Sequence, residues 1–144
     1  MSTEENKQVV IRFVQEALLE VAGGNLEHIR EFLTPDVVYH NPLTPPSDDH
    51  HDRLHNEATA YGAALADLEV EIDHIIAEGD LVAVHQRFSG RHHQSFPHAA
   101  GALEPTGEGL SAGGLALYRI RDGKIAEVWF YTNLYDALRA GAIV

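Results

Sequence analysis

Cysteine is absent from the 144 residues. That excludes a disulfide scaffold, a thiol nucleophile and a thiolate metal site, and it fits a reducing compartment. Cations are scarce: ten Lys and Arg stand against 22 Asp and Glu, for a formal net charge of −12. Holding a phosphate backbone needs a basic face, and these few cations are spread along the chain, so nucleic acid is not an expected partner. The acidity speaks to solubility. Long apolar runs are missing as well. No stretch reaches the roughly eighteen apolar residues of a membrane span. The polar start "MSTEENKQVV" lacks the basic and apolar segments of a signal peptide. One soluble, cytoplasmic domain over residues 1–144 is the expectation, with no membrane partner.

What is present is ordered in two halves. "TEENKQVVIRFVQEALLEVAGG" carries Val10, Phe13, Val14, Ala17, Leu18 and Val21 at helical spacing, with Thr3 as its cap and Gly23-Gly24 as its stop. "NLEHIREFL" predicts a short second helix, "DVVYHNP" a strand stopped by Pro42, and "DRLHNEATAYGAALA" a third helix. The remainder alternates as strands do. "LEVEIDHIIAEGDLVAVHQRFSGRH" turns at Glu78-Gly79-Asp80, and "GLALYRIRDGKIAEVWFYTN" turns at Asp122-Gly123, a strong hairpin signal. "LYDALRAGAIV" reads as a terminal helix. Helices followed by a curved antiparallel sheet make an α+β domain with room for a pocket between the layers.

The motifs "VVYHNPLTPP" (37–46), "IIAEGDLVAVH" (75–85), "GRHHQ" (90–94), "EPTGEGLS" (104–111) and "LYRIRDGKIAEVW" (117–129), in this order and spacing, resemble the SnoaL-like polyketide (ester) cyclases of the nuclear transport factor-2-like superfamily. The resemblance covers nearly the whole chain. It implies a cone-shaped α+β fold, three N-terminal helices packed on a curved antiparallel sheet, an apolar pocket and a homodimer. It also implies a small apolar molecule as partner, such as a polycyclic carbonyl compound closed by an intramolecular aldol step, and no cofactor.

That chemistry needs a base for the proton next to a carbonyl and a donor for the enolate oxygen. The resemblance places the usual strand His at Ala116 and the usual Asp, after the Trp, at Phe130. A further acid of the wider family falls at Asn133. Alignment with the ketosteroid isomerases of the same fold places their Tyr at Phe13 and their Asp at Asn41. Neither set of groups titrates near neutral pH here. The scaffold is kept and the usual catalytic positions are replaced.

Other residues stand in for them. His85, in "VAVHQRF", and His92, in "GRHHQ", are candidate bases. Phe13, Asn41, Ala116, Val128 and Phe130 are candidate ligand contacts, with Asn41 the polar handle. His40 has the opposite parity to Asn41. His50, His51 and His55 invite a metal reading, but no HExxH motif accompanies them, and no metal is expected. Trp129 and Tyr131 share one strand face and Phe130 takes the other. Three readings remain open: an enzyme of the cyclase class, a non-catalytic small-molecule binder, and a dimeric interaction domain.

Overall fold

The computed structural model describes residues 2–18, 26–41, 48–95, 104–105 and 107–133. Helix α1 runs over Thr3–Arg12, and its N-cap is Ser2, not Thr3: Glu5 N–H donates to Ser2 Oγ at 3.1 Å. The chain then widens into a π-helical segment, Phe13–Leu18, which buries Phe13, Val14 and Ala17. The expected uniform helix is therefore re-phased halfway, turning Phe13 and Leu18 toward one cavity. Helix α2 is Leu26–Glu31, β1 is Leu33–His40 and α3 is His50–Ala64. The stop expected at Gly23-Gly24, the start of the second expected helix at Asn25, and the terminal helix expected after Asn133 lie outside the described residues.

Four strands follow: β2 Leu65–Glu78, β3 Leu81–His92, β4 Gly109–Arg121 and β5 Lys124–Thr132. The sheet order is β1-β5-β4-β3-β2; β2 to β5 pair antiparallel, and β1 joins β5 in parallel. Both predicted turns close hairpins. Gly79 adopts φ 59°, and Asp122 and Gly123 adopt φ 53° and 79°, the two left-handed residues that a two-residue hairpin loop favours. Register shifts interrupt β2–β3 between Ala66 and Glu69 and again between Ile72 and His74. Such bulges bend the strand that carries them and add twist.

Alternation assigns the two sheet faces. Val82, Val84, Gln86 and Phe88 of β3, Ala112, Ala116 and Tyr118 of β4, and Val128 and Phe130 of β5 are buried on the face covered by the helices. Helix α1 packs on β2, β3 and β5, and α3 on β1 and β2. Phe13 ties the layers together, meeting Phe32 and, edge-on, Tyr118, each at 6.0 Å between ring centroids. Trp129, Tyr131 and Glu127 project from the opposite face, where Leu115 and Tyr131 are more than half exposed.

Gly114 sets the spacing of the inner aromatics. A Cβ there would lie 2.9 Å from Phe130 Cε1 and 3.1 Å from Phe88 Cε2, and these two rings meet edge to face at 6.0 Å. We expect Gly114→Val to overpack this junction and cost about 1–3 kcal/mol, read as a fall in Tm. An unchanged Tm would show that the rings have room to withdraw.

Candidate functional site

Between the π-helical segment, α3 and the inner sheet face lies a cavity of about 60 Å³, room for several water molecules. Its wall is mostly apolar: Phe13 and Leu18 from the first helical layer, Leu54 and Ala58 from α3, Leu68 and Val70 from β2, Phe88, Val128 and Phe130 from the other strands. Four polar side chains interrupt it, namely Tyr39, Glu57, Gln86 and Tyr118.

Glu57 reaches the cavity because α3 presents one face to β1. His50, Arg53, Leu54, Glu57 and Ala58 recur at three- and four-residue spacing, so they form one stripe. β1 is an edge strand, and its outer edge at Tyr39 needs partners. α3 supplies them. Tyr39 N–H donates to His50 Nδ1 at 2.8 Å, and Arg53 donates from Nη1 to Tyr39 O at 3.0 Å and from Nη2 to Asn41 O at 3.3 Å. The Arg53 guanidinium also sits 5.7 Å from the Tyr39 ring centroid. One turn further along, Glu57 takes the side chains of the same strand. Tyr39 Oη–H donates to Oε2 at 2.5 Å, and Asn41 Nδ2 donates to Oε1 at 3.0 Å and to Tyr39 Oη at 3.2 Å.

The tyrosines record the electrostatics. Burial first, then the negative charge of Glu57 and the hydrogen bond to it, push the Tyr39 hydroxyl well above its ordinary 10.0. Burial, and then the Glu57 charge, raise Tyr118 likewise. Both phenols are held protonated, so Tyr118 presents an O–H to a cavity that also contains a carboxylate. Gln86 is 2% exposed, and its Oε1 has no hydrogen-bond partner among the described residues.

The expected residues fall in different places. Phe13, Val128 and Phe130 line the cavity. Asn41 is buried at its polar end through Tyr39 and Glu57. Ala116 is buried directly across from Phe130 in the β4–β5 register. His85 points from the opposite face of β3, half-exposed, with Nδ1 3.6 Å from Asp73 and its ring 5.7 Å from that of His74. His92 is fully buried at the end of β3, apart from the residues that line the cavity, and neither ring nitrogen has a partner among the described residues. His40 stacks on Trp129 at 5.3 Å on the outer face and meets Glu127 at 2.7 Å. His51 Nε2 lies 3.1 Å from Thr34 O.

The sequence model of SnoaL-like polyketide cyclases matches residues 8–141. The chain belongs to this family. Solved structures similar to this SnoaL-like protein include AclR of Streptomyces galilaeus, provisionally called a hydroxylase, at 24% identity over 97% of this chain and 98% of AclR, TM-score 0.75. IdmH of Streptomyces antibioticus, provisionally called a polyketide cyclase, is 25% identical over 94% of this chain and 96% of IdmH, TM-score 0.73. A SnoaL-like protein of Jannaschia sp. CCS1 is 21% identical over 96% of this chain and 92% of its own, TM-score 0.76. These likenesses establish the nuclear transport factor-2-like fold. Among curated proteins none matches the chain. No helix of the described residues is long and apolar enough to cross a membrane.

The raised tyrosines make stability fall at high pH. As pH climbs past about 10, unfolded phenols release protons that Tyr39 and Tyr118 keep in the fold, so the unfolded state binds fewer protons and gains on the native one. Denaturant titrations between pH 8 and 11 should show this loss, and Tyr118→Phe should make it shallower. Parallel curves for both proteins would contradict the assignment of Tyr118.

Proposed function

We propose that this protein removes a proton from the carbon next to a carbonyl in a small apolar compound, with Glu57 as the base. The carrying observation is a carboxylate placed in an apolar cavity and oriented by Tyr39 and Asn41. Fixing the carboxylate from α3 against β1 sets its direction, and the apolar wall lowers the local dielectric, strengthening every charge interaction inside. Glu57 takes the proton, the C–H electron pair forms the enolate, and the Tyr118 O–H donates to the enolate oxygen. The enolate carbon can then attack a second carbonyl in the same molecule: the C–C bond forms, that carbonyl's π pair moves to its oxygen, and the protonated Glu57 returns its proton to the resulting alkoxide, which completes the ring closure of the cyclase class. On this reading Phe130, at the position where the family resemblance puts Asp, forms part of the wall, Ala116, at the His position, is buried across from it, and the base stands on the helical layer. His85 and His92, the bases expected from sequence, carry no step.

The direct assay needs no natural substrate. With 1-tetralone in D2O, NMR reads the exchange of the protons next to the carbonyl. The wild type should exceed the buffer rate, and Glu57→Gln, folded by circular dichroism, should lose about 10²-fold or more of that excess. Equal exchange by the two proteins would remove Glu57 from the mechanism, and no exchange by either would favour the second reading, a non-catalytic binder. That reading draws on the small volume of the cavity and on Phe130 within its wall.

The outer sheet face supports a homodimer. Leu115 and Tyr131 are cross-strand partners and exposed there. The surrounding charges are mixed in sign: Arg87 bonds Asp73 and Glu71, and Arg119 bonds Asp80 and lies 3.6 Å from Glu127. A second copy meets such a face with complementary groups. Light scattering at micromolar concentration should give twice the 15.8 kDa chain mass, and Tyr131→Glu should give the monomer. A wild-type monomer would contradict the dimer.

A further inference from the structure

Gln86 is the polar side chain in the cavity that the proposed proton transfer leaves unused. It stands in the apolar series Val82, Val84, Gln86, Phe88 on the inner face of β3. It is 2% exposed, it borders the same cavity as Glu57 and Tyr118, and its Oε1 accepts no hydrogen bond among the described residues. A buried amide oxygen without a donor loses its hydration and gains nothing in return, which destabilises the fold. A leucine of similar volume would avoid that cost. The tension is relieved when a bound molecule brings the missing donor.

We infer that Gln86 is a specificity-determining residue of this pocket: its Oε1 accepts a hydrogen bond from a hydroxyl on the ligand, so the protein selects apolar ring compounds that bear a phenol or enol. The inference rests on the reading of the cavity as the substrate site. It goes further by naming a second polar contact on the sheet wall, opposite the helical layer that carries Glu57. A ring compound is then held at two points, its reacting carbon at Glu57 and its hydroxyl at Gln86, which fixes its orientation in an otherwise greasy cavity. An ether at the same place offers no proton and leaves Oε1 unsatisfied.

Three probes separate the possibilities: naphthalene, 2-naphthol and 2-methoxynaphthalene, titrated against the wild type, Gln86→Leu and Glu57→Gln by calorimetry or probe fluorescence. In the wild type, 2-naphthol should bind about 10-fold more tightly than either of the others. In Gln86→Leu that preference should fall to about 2-fold or less, with naphthalene binding undiminished. Glu57→Gln should keep the preference. Gln86→Leu should also melt no lower than the wild type without ligand, since it removes an unsatisfied group. Equal affinity for the three probes in the wild type, or a full preference surviving in Gln86→Leu, would overturn the inference. So would a preference lost in Glu57→Gln alone, which would hand the hydroxyl to the carboxylate. These outcomes leave the proton-exchange result standing, so the two ideas fail separately. No binding of any probe by the wild type would overturn both.

Discussion

The clamp between α3 and β1 is the constraint on which the rest of the site depends. A strand at the edge of a sheet must find partners for its outward backbone groups, and here one helix face provides them through His50 and Arg53. The same face, one turn on, carries Glu57 to the hydroxyl of Tyr39 and the amide of Asn41. A structural need and a chemical one are met by one stripe of α3. Arg53 and His50 fix the helix against the backbone, and Glu57 is held beside the apolar wall that Phe13, Phe88 and Phe130 form. The cost of placing a charge there is offset by two hydrogen bonds to its oxygens.

This arrangement accounts for a family member whose usual acid–base positions look empty. On β4 and β5 the resemblance puts His and Asp where Ala116 and Phe130 now pack across from each other. Gly114 leaves the space that Phe130 and Phe88 fill. The sheet side of the cavity is an apolar wall with one amide, Gln86, and two phenols, Tyr39 and Tyr118. The acidic group stands on the opposite, helical side. Reactivity in such a pocket depends on a carboxylate against an apolar wall with a protonated donor nearby, and not on which element supplies it.

Much of the architecture was legible in the sequence. The hairpins at Gly79-Asp80 and Asp122-Gly123 were, because a positive φ demands glycine or a short polar residue. Strand parity put Phe130 and Trp129 on opposite faces, and the structure decides which is inside. The π-helical widening after Arg12 was not legible, since apolar spacing over two turns does not distinguish it from an α-helix. Nor was the parallel partnership of β1 with β5, which is a long-range pairing. The site was partly legible. Asn41 was chosen, and Tyr39, with the same parity two residues earlier, follows from it. Glu57 carries a sequence signal of its own, an acid between Leu54 and Ala58 on the apolar stripe of α3. Gln86 carries another, a polar residue in the inward series of β3, while its neighbour His85, with the more reactive side chain, points outward.

The measurement that tests the account most directly is a crystal structure of the protein with 1-tetralone bound. The account predicts the ketone inside the cavity, its oxygen within hydrogen-bond reach of Tyr118 Oη and the neighbouring carbon facing the Glu57 carboxylate. A ketone seated away from Glu57, or a cavity closed by its own side chains with no ligand at saturating concentration, would contradict it.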